Sequence, residues 1–436
     1  MPIDYTTSTS IVDTLKYVYG EGIKKQFETE KTLYNILPKS NKKPAGLGYQ
    51  FSISYADPQG IGARGESAKL PDPLVGKYDK AIVLPKYVYG SSRLTGPAME
   101  AGKGNAAAFI DSQSNQIDGI YRSMVHDLNR QCWGDGYGKV ADVSASGVLS
   151  TSTTWSVTCD NDLGIRYLRP GMLVDFYESA NVDQSSVASR ITSIDYATKV
   201  VTFEANDGTY KANHPIAGFS AYTIAEEVIP VDATIVKMGT RDAVFATSDT
   251  SYEMTGLLGI FDDGTLLSTF QGIDVSSHPA WKANILDNSG SNRELTLDLL
   301  LQACDATRTV SGRHPEIMYM GLGQKRKYAN LLTAQVRFAP TELKGGYEVL
   351  TFAAGEGNVQ MVVDPSAQPN RIFVTTKDAI EKFELMPLGW LDHDQMMHMR
   401  SGYDEWDFIL AVYTNLGVAQ RNACTLITDL VEPSVF

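Results

Sequence analysis

Gly321 to Lys327, reading GLGQKRK, is the stretch of this chain best placed to bind a phosphate. It follows a strand-like run, PEIMYMG, and opens a helical one, QKRKYANLLTAQ. That is the context of a phosphate-binding turn, in which backbone N–H groups at a helix start face the anion. The stretch lacks the third glycine of G-x-G-x-x-G and the G-K-[ST] of a P-loop. Lys325, Arg326 and Lys327 read more simply as a solvated or intersubunit basic patch. His393, Asp394 and His398, in LDHDQMMHM, could hold a metal only if their side chains met. A five-residue step separates the two histidines on a strand, and on a helix as well, so they make poor joint ligands. Cys132, Cys159, Cys304 and Cys424 form no C-x-x-C pair and suit a reducing compartment as buried apolar thiols. There is no G-x-S-x-G and no H-E-x-x-H, and Asp262–Asp263 lies in turn-like sequence, where aspartate serves the backbone. No catalytic, cofactor-binding or metal-ligating residue is assigned, no cofactor is expected, and the chain does not read as an enzyme.

With chemistry this sparse, the scaffold carries the reading. Ile117, Ile120, Tyr121, Met124, Leu128 and Cys132 recur at three- and four-residue steps, the period of an amphipathic helix. Asn115, Asp118, Arg122, Ser123, Asn129 and Arg130 fill the other face. Pro97 suits the first turn of a lead-in helix, Gly104 and Asn105 allow a restart, and Gly134 with Gly136 ends the run. A helix from Asn105 to Trp133 would be about 43 Å long, a strut rather than an average helix.

A chain of 436 residues holds about two to four domains, and a hydrophobic content of 43% is that of a soluble globular protein. The opening, MPIDYTTSTSIVDTLKYVYG, has no basic region followed by an apolar one, and no apolar run is long enough to suggest a membrane span. The net charge of −13, from 51 acidic and 38 basic residues, argues against gripping nucleic acid by counterion release. Enclosing nucleic acid remains compatible with it.

Residues 1–49 read as an arm, with Ile11, Leu15, Val18 and Tyr19 on one short helical face and Phe27, Leu33 and Ile36 on another. YQFSISYA is a strand with Tyr49, Phe51, Ile53 and Tyr55 on one face, and KAIVLPKYVYGSSRL a bent strand or a strand pair. Between them lies a Gly-, Pro- and charge-rich loop, unusually long for a compact domain. As an extended hairpin it would need another subunit to cover Ile61, Leu70, Leu74 and Val75. Val140 to Tyr222 carries the runs TWSVTCD, GMLVDFYES, ASRITSID, KVVTFEA and GFSAYTIA behind a linker-like SASGVLSTSTT, the pattern of a small β-barrel or sandwich. Mixed structure resumes near Ile229. Helices at RELTLDLLLQACDATRTVSG and QKRKYANLLTAQ alternate with strands at PEIMYMG, VQMVVDP and RIFVTT, and long strands close the chain.

LTGPAMEAGKGNAAAF, followed by a long helix ending in LNRQCWGDGYG, resembles the major capsid (coat) proteins of tailed bacteriophages. GLLGIFDDGTLLSTFQGID with HPAWKANILDN, and the closing DFILAVYTNLGVAQRNACTLITDL, are similar to later parts of that family. The resemblance implies an α+β Hong Kong 97-type capsid fold with an inserted small all-β domain. Its parts would be an N-terminal arm (1–49), an E-loop hairpin (50–92), a spine helix and start of the P-domain (93–139), and the inserted domain (140–222). The P-domain continuation and linker (223–292), the A-domain (293–382) and closing strands (383–436) would follow.

The implied function is self-assembly into hexamers and pentamers of an icosahedral shell around double-stranded DNA, without sequence-specific binding or a membrane. A scaffolding protein, a portal and a decoration protein are the implied partners, and the implied setting is the virion, assembled in the host bacterial cytoplasm. Arg64, Glu66, Lys69, Leu70, Leu74, Asn115, Asp118, Arg122 and Asn129 are the candidate intersubunit contacts. An encapsulin-like nanocompartment shell would share the fold, and a phosphate- or nucleotide-binding enzyme with an inserted β-domain is a third reading. Because Met124 lies on the apolar helix face, Met124→Asp places an unpaired carboxylate there at a cost of several kcal/mol. Insoluble or unassembled subunits are the expected result, read by solubility and sedimentation.

Overall fold

The computed structural model describes residues 33–41, 48–97, 112–145, 147–148, 154–160, 164–177, 189–204, 228–229, 233–240, 251–333, 350–354, 357–391, 397–399 and 402–433. Two compact units divide the chain, one of 1–30, 89–124 and 390–410, the other of 31–88, 125–389 and 411–436.

The long helix is described over Ser112–Trp133, 22 residues, or about 33 Å. Residues 98–111, which include the expected start at Asn105, fall outside the described residues. Met124, Leu128 and Cys132 are buried as their spacing predicts, whereas Tyr121 on the same stripe is exposed. The polar face needs a larger correction. Asn129 and Arg130, read from sequence as surface, are 3% and 4% exposed, and Gln131 and Trp133 are buried with them. From Met124 to Trp133 the helix is packed nearly all round.

Polar groups can be enclosed there because they satisfy one another. Asp127 takes Arg130 at 3.1 Å, Lys237 at 2.9 Å and the Gln131 amide at 2.9 Å. Arg130 also pairs with Glu253, and Gln131 accepts from the Met254 N–H at 3.3 Å. Burial alone would raise the Asp127 pKa, but the Lys237 and Arg130 charges outweigh it and hold the carboxyl well below the usual range. Burial, with Asp127 nearby, pushes Glu253 up despite Arg130. From the same turn, Asn129 donates to Asp364 at 3.2 Å, and that carboxylate also accepts from the Leu33 N–H at 3.0 Å and the Ser366 N–H at 2.7 Å. A single buried side chain thus ties together the end of the arm, the helix and the turn after strand Asn358–Val363.

The arm is described from Leu33. Leu33, Tyr34 and Leu37 are buried, while Ile36, expected on the same face as Leu33, is 40% exposed. Residues 37–40 run on against Lys382, with Lys382 N–H to Pro38 O at 2.8 Å and Ser40 N–H to Lys382 O at 2.9 Å. The expected helical face at Ile11–Tyr19, and Phe27, lie outside the described residues.

Six antiparallel strands close a barrel in the order Thr234–Lys237, Lys139–Ala145, Thr154–Cys159, Val200–Glu204, Ser189–Asp195 and Leu173–Tyr177. Alternation fills it with Val143, Val157, Val174, Ile191, Val201 and Ile235, and Phe176 meets Phe203 edge-on at 5.4 Å. The sequence reading ends this block at Tyr222, but the closing strand is Thr234–Lys237, too short to register as a separate strand. Part of the expected linker is also strand, since Gly147–Val148 pairs with Val228–Ile229. GFSAYTIA lies outside the described residues.

A six-stranded mixed sheet runs Asn284–Leu286, Thr425–Ile427, Ile372–Thr375, Ile317–Met320, Asn358–Val363 and Leu350–Ala353. The helix Leu297–Ser311 lays Leu299, Leu300, Ala303 and Cys304 into its core, capped by the Thr296 hydroxyl and ended by Gly312 at φ 70°. Arg421, fully enclosed, donates to the carbonyls of Gly259, Ile260 and Trp281 and lies over the Phe270 ring at 4.4 Å. Burial lowers its pKa to about 10, with Asp262 opposing that shift.

In the smaller unit, strand Met397–Met399 pairs antiparallel with Trp406–Phe408. Arg93 forks onto Asp407 at 2.6 and 3.1 Å. Gly90 lets Ile120 come close, since a Cβ there would lie 3.2 Å from its side chain and push it back by a few tenths of an ångström.

Arg130→Met would leave Glu253 enclosed without its cation and remove one of the two cations held by Asp127. A loss of about 3–5 kcal/mol is expected, read as an earlier urea midpoint than wild type.

Candidate assembly interface

Strands β1 (Tyr49–Ala56) and β2 (Lys77–Val83) form an antiparallel hairpin in register from Tyr49↔Val83 to Ala56↔Lys77. β3 (Lys86–Thr95) follows after a break at Leu84–Pro85, so the bent run is two strands. The hairpin is anchored at its root. Ala81 and Val83 are buried, Tyr49 stacks on Phe383 at 5.0 Å, and the Ile82 N–H donates to Gln271 O at 2.8 Å. Asn415 donates to Leu84 O at 2.7 Å, and Tyr87 meets Tyr413 edge-on at 4.9 Å. Gly417 is required here, because a Cβ would drive into both Phe383 and Val83. A bulge between Ser54 and Ala56 breaks the alternation. Tyr49, Phe51 and Ile53 share a half-buried face as expected, while Tyr55 is turned out to 36% exposure.

Beyond the strands, the tip's hydrogen bonds and ion pair are made within the tip itself, among the described residues. Arg64 donates to Lys69 O at 3.2 Å and Ala63 O at 3.0 Å, the Ala68 N–H to Gly65 O at 3.0 Å, and Lys69 pairs with Asp72 at 2.6 Å. These bonds shape the tip, and its apolar side chains point to water. Ile61 is 86% exposed, Leu70 80%, Leu74 59% and Val75 86%. Covering a side chain of this size contributes about 1.5–3 kcal/mol, so all four together would supply roughly 6–12 kcal/mol to any contact that enclosed them.

The structure therefore brings Arg64, Glu66, Lys69, Leu70 and Leu74 together on one exposed tip. On the helix, Asp118 is exposed and Arg122 half-buried, the Asn115 side chain is outside those described, and Asn129 is withdrawn as a contact because it is enclosed against Asp364. Nothing in the spacing of Asn129 distinguishes it from its exposed neighbours; its partner is 235 residues away.

The strand-to-helix turn at Gly321 leads into helix Leu322–Thr333 as expected, but its mouth is filled. A Cβ on Gly323 would overlap the Glu432 carboxylate, which accepts from Gln324 at 2.7 Å and from the Asn370 N–H at 3.3 Å. A phosphate there would meet a carboxylate. Lys327 pairs with Glu294 at 2.5 Å, and Arg326 donates to Pro433 O at 3.2 Å. All four cysteines are free and buried, and burial pushes the Cys424 thiol up to about 11. Among the described residues no group of three or more His, Cys, Asp or Glu is placed to hold a metal. None of their helices is long and apolar enough to cross a membrane. His393 and Asp394 lie outside them, and His398 pairs along the strand with Asp407.

The fold over nearly the whole chain is the Hong Kong 97-type capsid fold. A subunit in the capsid of cyanophage A-1(L) superposes with a TM-score of 0.57 at 12% identity, over 98% of this chain and 99% of that one. The capsid of a native GTA particle gives a TM-score of 0.52 at 8% identity, over 98% and 100%. Residues 236–430 match the model of the family described as SU10 major capsid protein. The chain thus has the fold of these capsid subunits, and its residues 236–430 are similar to a major capsid protein family. No curated protein matches the chain in sequence.

Substituting Leu70→Asp and Val75→Asp together should leave the thermal midpoint within about 2 °C of wild type, since neither side chain supports the fold. Assembly should fall by an order of magnitude or more, measured by sedimentation against wild-type subunits under the same conditions.

Proposed function

We propose that copies of this chain assemble as hexamers and pentamers into an icosahedral shell enclosing the double-stranded DNA of a tailed phage. The observation that carries this reading is the hairpin, fixed at its root and exposing Ile61, Leu70, Leu74 and Val75 at its tip. Laid across a neighbour's long helix, it would cover those residues beside Asp118 and Arg122. Such a contact joins unlike surfaces head to tail, and rotation closes it into rings. The barrel is the inserted domain of this reading, the hairpin its E-loop, the long helix its spine, and the six-stranded sheet its A-domain.

The net charge of −13 limits adhesion to the enclosed DNA, so the genome is contained without being gripped. A scaffolding protein, a portal and a decoration protein complete the assembly, which takes place in the host bacterial cytoplasm. The protein acts as a building block, with no catalytic step. Electron microscopy of the purified chain under varied salt, pH and crowding is the test. Closed shells of uniform size are expected, and a strictly monomeric species under every condition would overturn the reading.

A further inference from the structure

We propose that the turn 364–370 couples two distant parts of the chain, so that the arm docks firmly only when the barrel is seated. The turn reads DPSAQPN, and its two prolines leave it few backbone alternatives. On one side it holds the arm. The Asp364 carboxylate accepts from the Leu33 N–H at 3.0 Å, and Leu33, Tyr34 and Leu37 are all buried.

On the other side it holds the barrel. Arg166 donates to the Ala367 carbonyl at 3.1 Å, and the Tyr167 hydroxyl donates to the Ser366 carbonyl. Arg166 also lies 3.8 Å from Glu432, which in turn accepts from the Asn370 N–H at 3.3 Å. These two hooks sit between Ile165 and Leu168, which are 3% and 0% exposed inside the barrel core. Their aim therefore depends on that core, and a barrel without it cannot reach the turn in register.

The two sides meet within one peptide plane. The Ser366 carbonyl, held by Tyr167, and the Ala367 N–H belong to the same planar unit, so they turn together. That N–H donates to the Asp364 carbonyl at 3.1 Å, and the Ser366 N–H donates to the Asp364 carboxylate at 2.7 Å. Releasing the Ser366 carbonyl lets the plane rotate, which loosens Asp364 and with it the carboxylate that grips Leu33. Coupling of this kind is reciprocal, so a docked arm also steadies the barrel's seat. In the shell reading, only a subunit with its barrel in place offers its neighbours a fixed arm. The coupling itself is read on single subunits and stands apart from that reading.

Residue-level hydrogen exchange on isolated subunits tests it, with wild type set against the double variant Arg166→Met, Tyr167→Phe, which keeps the bulk of both side chains. The reporters are the Ala367 amide and two arm amides, Leu37 bonded to Leu33 O at 3.0 Å and Ser40 bonded to Lys382 O at 2.9 Å. All three should exchange at least about fivefold faster in the variant, the lower end of couplings between sites. The barrel strands Thr154–Cys159 and Val200–Glu204 should keep their wild-type rates. Arm amides that stay slow, whether or not Ala367 quickens, would show arm and barrel held independently and overturn the coupling. Quickened arm amides beside an unchanged Ala367 would take the turn out of the path and overturn it too. A variant in which every amide quickens has been loosened as a whole; Tyr167→Phe alone, which removes a single hydrogen bond, then replaces it, and the same outcomes decide.

Discussion

Charges enclosed around the last turns of the long helix hold this molecule's parts in place. Asp127 and Glu253 face Arg130 and Lys237, two acids against two bases, and the cluster reaches from the helix to the barrel's closing strand and to the segment at 251–255. Such a cluster adds little net stability compared with apolar packing, but losing one member strands a charge in a place without water. The arrangement is therefore all or nothing, which suits a subunit that must present one geometry. Asp364 extends the same logic to the arm, and Arg421 to the carbonyls of 259–260 and 281. The aromatic contacts of Trp133 with Tyr319 and Phe373 fill the space between these polar hubs.

A rigid body of this kind changes what the hairpin can do. Phe383, Gln271, Asn415 and Tyr413 grip its base, so the direction of the tip follows from the packing below it. Burial offered by a neighbour is then not offset by the cost of ordering a floppy loop, a cost that would consume much of the contact energy of a mobile segment. The tip's own bonds, Arg64 to Lys69 O and Lys69 to Asp72, are exposed and individually weak, yet together they limit its conformations.

Much of this was legible in the sequence, and the exceptions have one cause. Helix Leu297–Ser311, the sheet strands Ile317–Met320, Asn358–Val363 and Ile372–Thr375, and most barrel strands follow from local period and turn chemistry, whereas the short sheet strands Asn284–Leu286 and Leu350–Ala353 do not. The hairpin was legible as a Gly-, Pro- and charge-rich loop too long for a compact domain, carrying a few apolar residues that a neighbour would have to cover. What local pattern cannot give is the partner of a polar side chain distant in sequence. Asn129 and Arg130 look like surface residues until Asp364 and Glu253 arrive, and Arg421 looks like any loop cation until three carbonyls surround it. Thr234–Lys237 fails for a related reason: four residues carry too little alternation, and their strand identity comes from the two barrel neighbours they join. The glycines of GLGQKRK suggested a phosphate turn, but the carboxylate that fills it comes from Glu432.

The tip also shows how a chain can expose apolar side chains and stay dispersed until it meets its own kind. Ile61 sits between Gly60 and Gly62, Leu70 between Lys69 and Pro71, and Leu74–Val75 between Pro73 and Gly76. No run there combines five apolar, β-prone residues, so the tip cannot extend into the self-pairing strand that seeds aggregation. The apolar area is divided into separate points, each contributing only a few kcal/mol when covered. One such contact is weak enough to come apart when misplaced. A closed shell makes many at once and holds them by effective concentration, so weak single contacts and a stable whole are the same design.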